Sequence, residues 1–188
     1  MCMGLASDYN DKEKQRIDKF LDFMKKENGT PIVNVDFMDW LIKNGFFKAP
    51  ASTKYHGNHE GGLFEHSMAV ADLLVNFTKD LKLTWQREES PYVIGMFHDL
   101  CKIDSYITED GVRFEYNQNQ ILTGHAEKSI MLLSQFINLT EEELLSIRFH
   151  MGAYVTDDWD SYDKAIHKYD GVLWTHTADM YASKVLNT

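Results

Sequence analysis

The sequence predicts an all-helical fold that carries one small β-hairpin. Apolar residues recur at three- and four-residue spacing through most segments, which is typical of helices that bury one face. Proline is rare, with three in 188 residues, and no glycine-rich or repetitive stretch divides the chain. The exception is a roughly alternating stretch around Asp110-Gly111, a dipeptide that favours a tight hairpin turn.

Turn and capping residues set the predicted boundaries of the helices. The first helix is expected to stop at Asn28-Gly29, and Pro91 suits the first turn of a later one. Thr140 and Glu143 have the spacing of a capping box. The predicted helices cover residues 11–26, 35–43, 63–81, 92–103, 123–137, 141–149 and 172–186, and the hairpin lies within 104–120. Residues 151–171 are polar, aromatic and acidic without clear periodicity.

Length and composition indicate one soluble domain over residues 1–188. No apolar run approaches the roughly 20 residues of a membrane span, and no basic segment followed by an apolar one begins the chain, so we expect a cytoplasmic protein. Two distant cysteines, Cys2 and Cys101, give no disulfide framework. The net charge of -10 opposes a broad grip on a polynucleotide. An anionic substrate would therefore need local positive charge, which bound divalent cations can supply.

Histidines and aspartates recur on or beside the predicted helices, which favours a metal site. These residues are His66, His98, Asp99, His125, His150 and Asp179. A single histidine or aspartate in an apolar helix is more often a hydrogen-bonded core residue. Burying an ionised carboxylate costs several kcal/mol without a cation or a hydrogen-bonded partner, however, and here imidazoles accompany each carboxylate. Mixed nitrogen and oxygen ligands suit Mn, Fe, Ni, Co, Zn or Mg.

Five sequence blocks resemble the HD-domain superfamily of metal-dependent phosphohydrolases. They are GGLFEHS, FHDLCKI, TGHAEKS, FHMG and HTADMYAS, in this order, over roughly residues 55–184, and Lys102 completes an HDxxK pattern. The first three are similar to the branch that contains bacterial 3′-to-5′ exoribonucleases. The resemblance implies an HD-domain helical bundle, with a metal-binding core at 55–184 and an N-terminal helical scaffold at 1–50.

The resemblance also implies roles for the candidate residues. His66, His98, Asp99 and Asp179 would hold a first divalent ion, and His125 and His150 would hold a second beside the shared Asp99. Asp99 and Lys102 are the candidate catalytic residues, because a lysine three residues beyond Asp99 is expected to reach a phosphate oxygen. Met151 stands where many relatives have a histidine, and Cys101 replaces a small glycine, so the second ion is expected to bind more weakly.

The implied reaction is hydrolysis of a phosphomonoester or phosphodiester by metal-activated water. The substrate would be a small phosphate ester, a nucleotide in the first place, with a short nucleic acid as another possibility. Two alternatives stay open, a di-iron oxygenase of the same superfamily and a non-catalytic nucleotide-binding module. The roles of His56, His59 and His176 also stay open, with solvent exposure favoured for the first two and packing for His176.

Overall fold

The computed structural model describes residues 10–110, 112–152 and 158–188, and this part of the chain is mostly helical. The described α-helices are α1 (Asp11–Phe23), α2 (Val35–Lys43), α3 (Gly62–Leu81), α4 (Ser90–Phe97), α5 (Ala126–Leu133), α6 (Glu141–Arg148), α7 (Trp159–Lys168) and α8 (Asp170–Tyr181). Strands β1 (Tyr106–Ile107) and β2 (Glu115–Tyr116) pair antiparallel. The predicted all-helical fold with one small hairpin is confirmed. Among the described residues, no helix is long and apolar enough to cross a bilayer.

Helices α3 and α4 form the centre of the bundle because a glycine lets them nearly touch. A Cβ atom on Gly95 would lie 2.3 Å from the Cα atom of Ala71, so any side chain there would force the helices apart. The N-terminal helices pack against this pair, and the Phe37 ring lies 5.0 Å from the ring of Phe97. A single cluster of buried apolar side chains runs from α1 to α8. We therefore propose that the described segments form one domain.

Helix α4 is shorter than predicted, and this places the His98-Asp99 pair at its end. The α-helix stops at Phe97, and a 3₁₀ helix (Leu100–Asp104) follows. The backbone N–H of Cys101 donates to the Ser129 hydroxyl at 2.9 Å, so it is withdrawn from the α-helical ladder. The prediction of one continuous helix over 92–103 is therefore wrong at this point, because a side chain from α5 captures a donor that the helix needs.

Other boundaries differ by a few residues for local reasons. Helix α1 ends at Phe23 because the chain turns into an isolated bridge between Lys25 and Pro31. Helix α5 begins at Ala126 because Gly124 has φ +106°, a conformation that favours glycine and breaks the helix. Helix α8 begins earlier than expected and passes into a π-helical turn, Ala182–Leu186. The capping box of Thr140 and Glu143 at α6 is present as predicted.

Helix α7 was not predicted. Its apolar stripe is short, with Tyr162 and Ala165 buried among charged neighbours, and it packs against Phe149 and Val172. The sequence does carry a helical pattern here, because Trp159, Tyr162, Ala165 and Ile166 recur at three- and four-residue spacing, but polar and acidic residues surround it. Cys2, Gly111 of the predicted hairpin turn, and residues 153–157 of the segment without clear periodicity lie outside the described residues.

A buried ionic network fixes α6 against the start of α4. The Glu143 carboxylate is fully buried and accepts two hydrogen bonds from the Arg87 guanidinium, both at 2.7 Å. It also accepts from the Ser90 hydroxyl at 2.9 Å and the Thr140 backbone N–H at 3.0 Å. With four donors the carboxylate is well compensated, so the network holds in place the helix that leads to His150.

We expect Glu143→Ala to lower the free energy of unfolding by about 3 kcal/mol, because it leaves the Arg87 charge without its partner and empties a buried position. Urea denaturation measures the change. Glu141→Ala is the matched control, since Glu141 lies on the same helix turn but pairs with Lys168 at the exposed surface. It should change the midpoint little. Equal losses in both variants would contradict a special role for the buried network.

Candidate metal centre

The structure brings all six predicted ligand residues together. His66 comes from α3, and His98 with Asp99 follows α4. His125 immediately precedes α5, His150 lies two residues after α6, and Asp179 is on α8. Three overlapping groups each place their ligand atoms within 4.8 Å of one another, and these groups are His66, His98, Asp99; His98, His150, Asp179; and Asp99, His125, His150. The cluster thus joins five helical segments at one point.

Asp99 lies between two sets of imidazoles. Its Oδ2 atom is 3.7 Å from Nε2 of His66 and 3.6 Å from Nε2 of His98. Its Oδ1 atom is 3.2 Å from Nε2 of His125 and 3.6 Å from Nε2 of His150. On the first side, Asp179 Oδ1 adds a second carboxylate, 3.1 Å from Nε2 of His66. One carboxylate therefore serves two groups of nitrogen atoms.

Three of these histidines are anchored through Nδ1 to backbone carbonyls. Nδ1 of His66 lies 3.0 Å from the Thr188 oxygen, and Nδ1 of His98 lies 2.9 Å from the Gly95 oxygen. Nδ1 of His150 lies 2.7 Å from the oxygen of Ile147. A carbonyl can only accept, so each Nδ1 carries a proton, and in its metal-binding form such a ring presents the lone pair of Nε2 to the cluster. Metal-binding histidines are oriented in this way.

Several buried polar atoms of the cluster have no hydrogen-bond partner among the described residues, and a cation that fits the site should contact such atoms. Nε2 of His66, Nε2 of His98 and Oδ1 of Asp99 are buried without a hydrogen-bond partner among the described residues. Their short distances to Asp179 and His125 are contacts of electron-rich atoms rather than aligned hydrogen bonds. A buried polar atom left unpaired costs about 1–3 kcal/mol, and divalent cations bound in this cluster would satisfy these atoms. The donor set therefore fits the divalent metal that the sequence predicts.

Lys102 makes a contact different from the one expected. Its Nζ lies 2.6 Å from Asp99 Oδ2, so in this structure the ammonium pairs with the candidate ligand and not with an external anion. Burial raises the pKa of the Asp99 carboxyl, but the positive charge of Lys102 and the neighbouring imidazoles outweigh it and hold that pKa well below its usual range. Burial lowers the pKa of Lys102, and the Asp99 carboxylate more than offsets it. The pair is therefore fully ionised.

An open cavity of about 290 Å³ leads to the cluster. His56 lines it, with its ring centroid 5.1 Å from that of His66, so the expectation of plain solvent exposure is wrong for this residue. His59 is exposed and pairs with Glu65 at 2.9 Å, away from the cavity. His176 also lines the cavity, and its Nδ1 lies 2.8 Å from the carbonyl oxygen of His150.

Sequence reasoning missed further residues around the cluster. Lys184 and Met180 line the cavity, and Thr188 anchors His66 through its backbone oxygen. Cys101 places its Sγ 3.2 Å from Nδ1 of His125, where the other ligand histidines have carbonyls. Burial raises the pKa of the Cys101 thiol to about 12, so this group is neutral. The contact of His66 with the backbone oxygen of Thr188 cannot be read from a sequence. Cys101, in contrast, was recognisable in the sequence as a replacement for a small glycine.

We expect the metal-free protein to lose stability as the pH falls from about 6.5 to 4. Burial lowers the pKa of His98 to about 4, below the 6.5 of an unfolded chain, so the unfolded state takes up the proton first. The contribution of His98 is complete above pH 6.5 and amounts to about 3 kcal/mol. Urea denaturation in excess chelator at pH 7.5 and 4.5 measures it. His98→Asn, which keeps a donor for Gly95, should weaken the pH dependence; an unchanged dependence would refute this assignment.

Comparison with known proteins agrees with this geometry. The chain matches the family model described as HD domain over residues 63–175, more than half of its length. It is similar to the dihydroneopterin 2′,3′-cyclic phosphate phosphodiesterase of Methanocaldococcus jannaschii, with 28% identity over 117 residues, which are 60% of this chain but only 43% of that relative. No solved structure matches the chain significantly. The family match covers the elements that carry His66, His98, Asp99, His125 and His150, and the chain therefore belongs to the HD-domain family of metal-dependent phosphohydrolases.

Proposed function

We propose that this protein hydrolyses a small phosphodiester, a nucleotide-like cyclic phosphate in the first place, with the help of divalent metal ions. The observation that carries the proposal is the convergence of four imidazoles on the two oxygens of Asp99. The similarity to a 2′,3′-cyclic phosphate phosphodiesterase favours a diester over a monoester. Oxygen activation rests on no comparable observation, so we keep the di-iron oxygenase as an outcome of the test.

The residues divide between two proposed ion positions. His66, His98 and Asp179 would hold the first ion with Asp99, and His125 with His150 would hold the second. When bound, divalent ions supply Lewis acidity, which neutralises phosphoryl charge and lowers the pKa of a coordinated water. Asp99 would contribute to both positions, one oxygen to each, because its Oδ1 and Oδ2 atoms face different imidazoles.

The cavity favours a small anionic substrate. At about 290 Å³ it lies near the lower end of the volumes of ligand sites, so it suits a mononucleotide-sized molecule or the end of a short strand. Lys184 and Lys102 line it, in a protein whose net charge is -10. Lys184 is exposed, so its charge is free to meet a phosphate at the rim, whereas Lys102 is held against Asp99. A divalent ion at Asp99 would compensate the charge of the carboxylate in place of Lys102. The Lys102 ammonium would then be free to bind a phosphate oxygen.

The reaction class can be tested with a panel of metals and substrates. The protein is stripped with chelator, reloaded with Mn, Fe, Ni, Co, Zn or Mg, and assayed on 2′,3′-cyclic nucleotides, nucleoside monophosphates, a chromogenic phosphodiester and short RNA. We expect metal-dependent conversion of the cyclic phosphate to a monoester. Consumption of O₂ by the iron form without hydrolysis would support an oxygenase instead, and nucleotide binding without turnover would support a non-catalytic module.

We expect Asp99→Asn to lose bound metal and to lower kcat by more than about 100-fold, because the amide removes the charge that both ion positions share. The substitution conserves volume, so it creates no cavity. Elemental analysis and the phosphodiesterase assay measure the two effects. Asp160→Asn is the control, since Asp160 pairs with Lys164 at the surface. Full metal content and activity in Asp99→Asn would refute the proposed centre.

The two ion positions should be separable by substitution. His125→Ala or His150→Ala removes a nitrogen from the Oδ1 side of Asp99, so metal content should fall from two ions to one while kcat falls by about 100-fold. His66→Ala should instead weaken the first ion. Elemental analysis at saturating Mn²⁺ gives the stoichiometry. If the His125 and His150 variants keep full activity and unchanged metal content, the centre is mononuclear.

A further inference from the structure

His125 differs from the other histidines of the metal centre in what holds its ring. His66, His98 and His150 are fully buried, and each is anchored to a carbonyl oxygen. The His125 side chain is 38% exposed, so packing alone does not fix its orientation. Its Nδ1 faces the Cys101 sulfur at 3.2 Å. The hydrogen bond at Nδ1 therefore helps to fix the direction of Nε2, together with the contacts that Nε2 makes with Asp99 and His150.

The Cys101 sulfur is itself held firmly in place. Cys101 is 1% exposed, and its backbone N–H donates to the hydroxyl of Ser129 at 2.9 Å. The Ser129 backbone N–H donates in turn to the His125 carbonyl at 3.3 Å. The sulfur and the imidazole are thus carried by two segments that Ser129 ties together, so the contact between Nδ1 and Sγ belongs to the folded framework.

The opposite edge of the His125 ring faces an atom that needs a cation. Oδ1 of Asp99 lies 3.2 Å from His125 Nε2 and is buried without a hydrogen bond among the described residues. Nε2 of His150 lies 3.2 Å from the same nitrogen. Rotation of the His125 ring would break up this arrangement of three ligand atoms. The group that orients the ring therefore controls whether a second ion can bind.

We propose that Cys101 is a positioning residue whose sulfur orients His125 and sets the affinity of the second metal ion. The inference rests on the proposed function only in taking His125 and His150 as ligands of that ion. An ion on Nε2 requires the proton on Nδ1, where the sulfur accepts it. The neutral thiol can also donate to an unprotonated Nδ1, an arrangement that puts the proton on Nε2 and blocks the ion. A carbonyl does not allow this alternative.

This difference predicts an order of affinities. The three carbonyl-anchored rings already carry the proton on Nδ1, so they bind an ion without a change of tautomer. In His125 the proton on Nδ1 is stabilised only by a sulfur acceptor. Sulfur forms longer and weaker hydrogen bonds than oxygen, so this tautomer is less strongly favoured. The second ion is therefore the more easily lost of the two, and a better acceptor at position 101 should not weaken it.

Titration of the metal-free protein with Mn²⁺ alone tests the proposal, by calorimetry and by the spin-coupled spectrum of two neighbouring Mn²⁺ ions. In Cys101→Ala the Kd of the second ion should rise by about tenfold or more, with the affinity of the first ion unchanged and the spin-coupled spectrum appearing only at a correspondingly higher Mn²⁺ concentration than in the wild-type protein. Cys101→Ser, which restores an acceptor to which the partly exposed ring can adjust, should bind the second ion as tightly as the wild-type protein. Ser146→Ala, another buried polar position, should leave both affinities unchanged.

Each other result would overturn the inference. Wild-type affinities in Cys101→Ala would show that the sulfur does not orient His125. A parallel loss of both ions, or a weakened second ion in Cys101→Ser, would indicate a general structural role, and the serine variant decides this even if the alanine variant does not fold. If the wild-type protein binds one Mn²⁺ and still cleaves the cyclic phosphate, there is no second ion and this inference is wrong. The proposed function would then still stand.

Discussion

The candidate metal centre depends on a carboxylate that is kept ionised inside the protein. Asp99 is 2% exposed, and it meets one ammonium and four imidazoles instead of water. Burial alone would favour the neutral acid, so the surrounding structure must supply the compensating charge. In this structure the Lys102 ammonium does so, and a divalent ion would do so more completely. The segments that converge on Asp99 must therefore pack so that positive charge lies next to this buried carboxylate.

The scaffold meets this requirement with close contacts between helices. Gly95 lets α3 and α4 approach until the rings of His66 and His98 lie 5.3 Å apart. Gly152 serves a similar purpose, since a Cβ atom on it would lie 2.5 Å from the His176 ring. At both positions the absence of a side chain lets histidines from different segments share a small volume, so backbone packing determines the geometry of the centre.

The sequence predicted which histidines and aspartates lie together better than it predicted their surroundings. His98 follows an apolar run and His150 follows the helix that the capping box of Thr140 and Glu143 begins, and their motifs are ordered along the chain, so both the elements and the residues were visible. The break after Phe97 was not, because it depends on Ser129, far away in sequence. Neither was the pairing of Lys102 with Asp99, because helical spacing shows that two side chains are neighbours and not which partner the ammonium selects.

The ends of two helices add an electrostatic consequence of their own. His98 directly follows α4 and His150 lies two residues after α6, and each ring is anchored to a carbonyl in the last turn of that helix, three residues earlier. The aligned peptide dipoles concentrate partial negative charge at such ends. The centre therefore lies where the negative poles of α4 and α6 add to two carboxylates, so the backbone itself attracts cations before any side chain touches one. This negative potential disfavours a free phosphate, so under the proposed function a metal ion would assist substrate binding as well as the chemistry.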